Sequence, residues 1–201
     1  MGTRCQLNIV AADDADPVIR ANSLKLYGMI TPVKTQAIID EITPFLSENY
    51  DRLTRFSAAK SLAWIAREDI PAPALDILAE ALVSDDDFIQ HYQDNTNQDS
   101  TPQDAAGNAF GYVGLDAAEP HIANVIETLR TMNWMKGGSL VATLLYLLFG
   151  EGKLPTNATV DDLTPLQHQF FKTLAEEEYL GTFKDGTTTH VNIVELTRYY
   201  G

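Results

Sequence analysis

The sequence holds one cysteine, Cys5, so an internal disulfide is excluded. That fits a reducing compartment, and a cytoplasmic location is expected. Long apolar runs are also missing. The longest, Leu140 to Phe149, has about ten residues, where a membrane span needs about 20. It reads as a buried helix. The opening MGTRCQLNIVAADD turns acidic without an apolar stretch, which predicts no secretory signal. Gln6 stands where a myristoylation site wants Ser or Thr.

Basic residues are scarce. Lys and Arg total 14 against 28 Asp and Glu, for a net charge of −14. From Glu68 to Leu129 there is no Lys or Arg at all. That stretch instead holds Glu68, Asp69, Asp76, Glu80, Asp85, Asp86, Asp87, Asp94, Asp99, Asp104, Asp116, Glu119 and Glu127. Such a surface repels nucleic acid and anionic lipid, so neither is an expected partner.

Catalytic and metal signatures are missing too. No G-x-S-x-G elbow occurs, and Cys5 and the serines lack a nucleophile's setting. The four histidines, His91, His121, His168 and His190, have no paired spacing for zinc. Asp85, Asp86, Asp87 and Asp94 lack the glycine and the twelfth-position Glu of a calcium loop. The run Glu176, Glu177, Glu178 reads as a solvated face. No catalytic residue, cofactor or metal is predicted.

What is present is a repeated helix. AAGNAFGYVG places glycines at 107, 111 and 114. No GK[ST] follows, and the preceding NTNQDSTPQ is no buried strand, which weighs heavily against a phosphate cradle. The segment instead aligns with RANSLKLYGMI from Arg20 and RFSAAKSLAWI from Arg55 when it starts at Gln103. Ser23, Ala58 and Ala106 share one offset, and Leu24, Ala59 and Gly107 the next. Tyr27, Leu62 and Phe110 follow, then Gly28, Ala63 and Gly111, then Ile30, Ile65 and Val113. SLVATLLYLLF from Ser139 is a weaker fourth copy. The starts lie 35, 48 and 36 residues apart, a period of helical solenoids. Small residues on one face let helices approach closely, so the glycines read as packing positions. Trp64 is expected in the core, and Trp134, at a helix–helix turn, reads as core ahead of surface anchor.

Second helices fall between the copies. They run from Val33, Ala72 and Ala118, with apolar residues such as Ile122, Val125, Ile126 and Leu129 at helical spacing. Pro71, Pro73 and Pro120 stand at expected first-turn positions. First (A) helices are thus predicted near 16–30, 50–68, 103–115 and 137–150. Second (B) helices are predicted near 33–48, 72–84 and 117–133.

DPVIRANSLKLYG, LTRFSAAKSLAWIA and DAAGNAFGYVG resemble the HEAT-repeat family, including the short repeats of bilin lyases. Arg20 and Arg55 match its consensus arginine, where the third copy has Gln103. The resemblance implies an all-α fold, an α-solenoid of three to four helix pairs over residues 1–155. Residues 156–201 depart from the repeat and are expected to form a helical cap. Thr164, Pro165 and Gln167 make a capping-box entry there, Asp185-Gly186 a turn, and Val191 to Leu196 part of a last helix. The CQLNIVAADDADPVIR opening begins mid-pattern, which suits either a native end or a piece of a longer array.

The 48-residue spacing contains an acidic insertion, 85–104, read as a loop. Phe88 and Tyr92 are its expected anchors. Together with the B-helix face expected to be concave, it gives a candidate partner-binding set: Asp76, Glu80, Asp85, Asp86, Asp87, Tyr92, Asp94 and Glu127. The functional expectation is a non-catalytic scaffold that grips a protein with a basic surface. The alternative implied by the resemblance is a chromophore- or small-molecule-handling protein related to bilin lyases.

Overall fold

Asp51 and Thr101 show how the polar residues between the apolar runs set the helix starts. Asp51 caps a helix by accepting from the Thr54 backbone N–H at 2.9 Å. Thr101 and Asp104 cap another reciprocally, side chain to backbone in both directions. The computed structural model describes residues 16–30, 35–96, 101–132, 134–149 and 160–176. The described elements are helical, and no strand occurs among the described residues. This is the all-α, HEAT-type construction that the repeat implies.

In chain order the α-helices are α1 (Pro17–Ile30), α2 (Gln36–Ile42), α3 (Arg52–Ala66), α4 (Ala72–Leu82), α5 (Asp86–Thr96), α6 (Pro102–Val113), α7 (Leu115–Thr128), α8 (Trp134–Phe149) and α9 (Pro165–Glu176). A 3-10 turn, Thr43–Leu46, continues α2. Helices α1, α3, α6 and α8 are the predicted A helices, and α2, α4 and α7 the predicted B helices. The chain divides into two compact units, 1–114 and 115–201. That boundary lies inside the array expected over 1–155. Helix α6 closes the first unit and α7 opens the second.

In the first unit, the shared offsets place Ala58, Ala59, Leu62, Ala63, Ala106 and Phe110 in the core. Gly28 is a close approach. A Cβ there would meet Oγ, Cβ and Cα of Ser61 at 2.7–2.9 Å. The buried Ser61 hydroxyl in turn donates to the Leu24 carbonyl at 2.7 Å. The consensus arginine has a visible task. Arg55 Nε donates to the Leu46 carbonyl at 3.3 Å, tying an A helix to the end of the preceding turn. Gln103 at the same offset reaches the Ser84 carbonyl at 3.5 Å, while its Oε1 is buried without a hydrogen bond.

Two packing expectations are corrected. Gly111 is exposed, and a Cβ there would meet nothing within 4 Å. Its glycine therefore serves no close approach. Gly111→Ala is expected to raise unfolding free energy by about 0.5–1 kcal/mol, through helix propensity alone. Urea denaturation checks this, and a lower midpoint would contradict it. Gly114 differs, because its φ of 91° requires glycine at the end of α6. Pro120 is not in a first turn: α7 starts at Leu115, so the proline stands inside that helix.

The second unit contains α7, α8 and α9. The predicted capping box at α9 forms. Thr164 N–H donates to Gln167 Oε1 at 2.9 Å, and Gln167 N–H donates to Thr164 Oγ1 at 3.2 Å. The buried Gln167 amide also donates to the Leu148 carbonyl at 2.7 Å, fastening α9 to α8. Leu166, Phe170 and Leu174 are buried on one face of α9. The turn at Asp185-Gly186 and the helix over Val191–Leu196 lie outside the described residues, as does the side chain of Trp134.

Candidate functional site

The acidic insertion is largely a helix. Asp85 starts α5 by accepting from the Phe88 N–H at 2.8 Å, and its other oxygen accepts from Arg52 Nη1 at 2.8 Å. The Phe88 backbone bond first, then Arg52, hold the Asp85 carboxyl below its ordinary range. The pair is exposed to water, so its contribution to stability is small. Arg52 also lies over the Phe88 ring, 4.1 Å from its centroid.

Phe88 and Tyr92 stand one turn apart and are buried, Tyr92 at 1% exposure. Both meet Phe56 of α3 edge-on, with centroids at 5.9 and 5.6 Å. Lys60 donates to the Tyr92 hydroxyl at 2.9 Å, and Asn22 of α1 donates to the Asn95 carbonyl at 3.3 Å. The expectation that Tyr92 anchors a partner is thus corrected. Its ring is spent inside the protein, fixing α5 to α3. Phe88 is corrected in the same way.

The remaining acids separate into groups. Asp86, Asp87 and Asp94 are exposed on α5, with Asp94 accepting from Gln90 at 2.7 Å. Asp76 and Glu80 are exposed one turn apart on α4, beside exposed Ala72 and Pro73. Exposed Gln36, Ala37, Asp40 and Glu41 stand on α2, the other B helix of this unit. Neither α2, its 3-10 extension nor α4 carries Lys or Arg. Helix α5 is held by A helices, whereas Asp76 and Glu80 stand on a B helix. Glu127 belongs to the second unit. It accepts from Gln169 at 2.8 Å and from Arg130 at 2.8 Å, and these bonds, Gln169 first, keep its carboxyl below the ordinary range.

Sequence reasoning missed a cavity of about 230 Å³ among the A helices α1, α3 and α6. Counted from Arg20, Arg55 and Gln103, the fifth residues onward are Lys25, Lys60 and Asn108. The ninth are Met29, Trp64 and Tyr112. All six line the cavity. The repeat therefore lays a row of hydrogen-bond donors beside a row of large apolar groups. Small residues, Gly28, Ser61, Ala105 and Ala109, complete the lining. Trp64, expected in the core, is 45% exposed and stands against Tyr112 with ring centroids 4.5 Å apart. The signal was in the sequence: the same offset carries a large apolar residue in all three copies, outside the small-residue face.

Lys60 is half-buried beside Phe56 and Tyr92, its Nζ 5.4 Å from each ring centroid. Burial first, then the charge of Lys25, lower its pKa to about 8 from 10.5. The sign follows from proton binding. Between those values the unfolded chain holds more protons than the folded one, so stability rises with pH there. Below the folded pKa the cost of the buried ammonium is fully present. Relative to Lys60→Met, the native chain is expected to gain up to about 3 kcal/mol between pH 8 and 10.5. Denaturant titrations of both chains across that range measure it, and parallel curves would contradict it.

Residues 7–91 match the family model for HEAT repeats. That span contains α1 to α4 and most of α5. The match supports a HEAT-repeat family over that span, and HEAT repeats are generally protein-interaction scaffolds. No curated protein and no solved structure matches the chain. Among the described residues, no three His, Cys, Asp or Glu side chains gather as a metal site requires, and no helix is long and apolar enough to cross a membrane.

Proposed function

We propose that this protein is a non-catalytic scaffold whose B helices dock a partner protein with a basic surface. The observation that carries the reading is the uniform sign of the exposed B-helix charge in the first unit: Asp40, Glu41, Asp76 and Glu80, without a Lys or Arg on either helix. Helical arrays bind through extended faces of successive helices. Exposed charges of one sign speed encounter with an oppositely charged surface and give salt-sensitive binding. Exposed Ala37, Ala72 and Pro73 give the same face a smooth apolar ground for contact.

Asp76→Asn with Glu80→Gln tests the reading without touching the core. At low salt the association rate with the partner is expected to fall about fivefold to tenfold, with dissociation little changed. Unchanged association rates and an absence of salt dependence would contradict it. The acids of α5, Asp86, Asp87 and Asp94, form a separate steering surface whose neutralisation is expected to have the smaller effect. Bilin handling, the alternative that the resemblance implies, is distinguished by mixing purified protein with a bilin: a scaffold gains no coloured adduct.

A further inference from the structure

The cavity of the first unit holds two cations in a chain of net charge −14. Neither Lys25 nor Lys60 has a carboxylate at ion-pair distance among the described residues. An excess of acids makes such pairing easy to supply, so its absence around both lysines leaves room for an anion from outside. Trp64 and Tyr112 form an apolar wall beside them, 45% and 44% exposed. Buried rings ordinarily belong to a core, whereas a large aromatic pair facing a cavity offers a stacking surface. Small lining residues keep the space open.

We propose that this cavity binds a small aromatic carboxylate, with the carboxylate held by Lys25 and Lys60 and the ring against Trp64 and Tyr112. Asn108 adds a neutral donor in the same row. The lysine charges select an anion, and the aromatic wall selects a ring over inorganic phosphate. A volume of about 230 Å³ suits one or two fused rings better than a peptide. The lowered pKa of Lys60 agrees: an anion between the lysines relieves the repulsion from Lys25 and partners a buried ammonium.

The site lies among A helices and is independent of the B-helix docking reading. Calorimetric titration of the full chain with 2-naphthoate tests it, with the neutral 2-naphthamide as the control. Saturable binding with Kd below about 1 mM is expected for 2-naphthoate, and at least about tenfold weaker binding for the amide. Lys25→Gln, a change at a partly exposed side chain, is expected to weaken 2-naphthoate about tenfold at an unchanged unfolding midpoint. Tyr112→Ala, at an exposed ring, is expected to weaken it severalfold. No saturable heat with 2-naphthoate, equal affinity for the amide, or insensitivity to both substitutions would overturn the proposal. Asp76→Asn with Glu80→Gln is expected to leave this binding unchanged, so failure here and failure of the docking reading are separate results.

Discussion

Phe56→Ala is expected to lower unfolding free energy by about 3–5 kcal/mol, the cost of an emptied aromatic site in a packed core. Phe56 is 1% exposed, and it is the side chain on which α5 closes. The rings of Phe88 and Tyr92 both meet it edge-on, and the Lys60 ammonium stands 5.4 Å from its centroid. Removing the ring takes apolar contacts from α3 and α5 together. Several other tethers of α5 are polar: the partly exposed Arg52–Asp85 pair, the Lys60–Tyr92 bond and the Asn22–Asn95 bond. Such bonds contribute little net stability each. Hydrogen exchange should therefore show α5 amides losing protection before those of α3 and α4. Uniform loss across the first unit, or a cost under about 1 kcal/mol, would mean that α5 is held by something other than this aromatic group.

Gly28→Ala is expected to cost about 1–3 kcal/mol, despite alanine's better helix propensity. The added methyl would stand 2.7 Å from Ser61 Oγ and 2.9 Å from Ser61 Cα. A hydroxyl can rotate, but a backbone carbon moves only with its helix. Helix α1 must then shift from α3 and strain the bond from Ser61 to the Leu24 carbonyl. Ser61→Gly in the same chain removes the opposing Cβ and Oγ, and should restore part of the loss. Two alanine substitutions in equivalent repeat positions thus have opposite signs, destabilising at Gly28 and stabilising at Gly111. Stabilisation at both positions would show that local propensity governs them.

That contrast marks where sequence and structure part. The A and B helices were legible because their small and large residues recur at fixed offsets. The capping box of α9 was legible because Thr164 and Gln167 are local partners. Gly111 was misread because an offset gives a face, not what lies opposite that face in each copy. Trp64 was misread because size argues for burial, although Met29 and Tyr112 at the same offset already marked a second stripe. Helix α5 was hidden by its polarity. Its signals were Asp85 three residues before Phe88, as a cap requires, and two aromatic rings one turn apart. The cavity needed three helices to be set side by side, which no single segment reveals.

Asp76 and Glu80 stand where a partner can reach them, while Tyr92 does not. Charge density in the sequence could not separate acids on a B helix from acids on a helix fastened to A helices. Only the tertiary contacts of Phe88 and Tyr92 draw that line.

Photo-cross-linking from three exposed positions tests the docking surface most directly. A benzophenone side chain would be placed at Ala37 on α2, at Ala72 on α4 and at Gln90 on α5. The account predicts one shared partner captured from positions 37 and 72, captured less as salt rises, and not captured from position 90. Capture of that partner from position 90 alone, or capture from 37 and 72 that salt leaves untouched, would contradict docking on an acidic B-helix face.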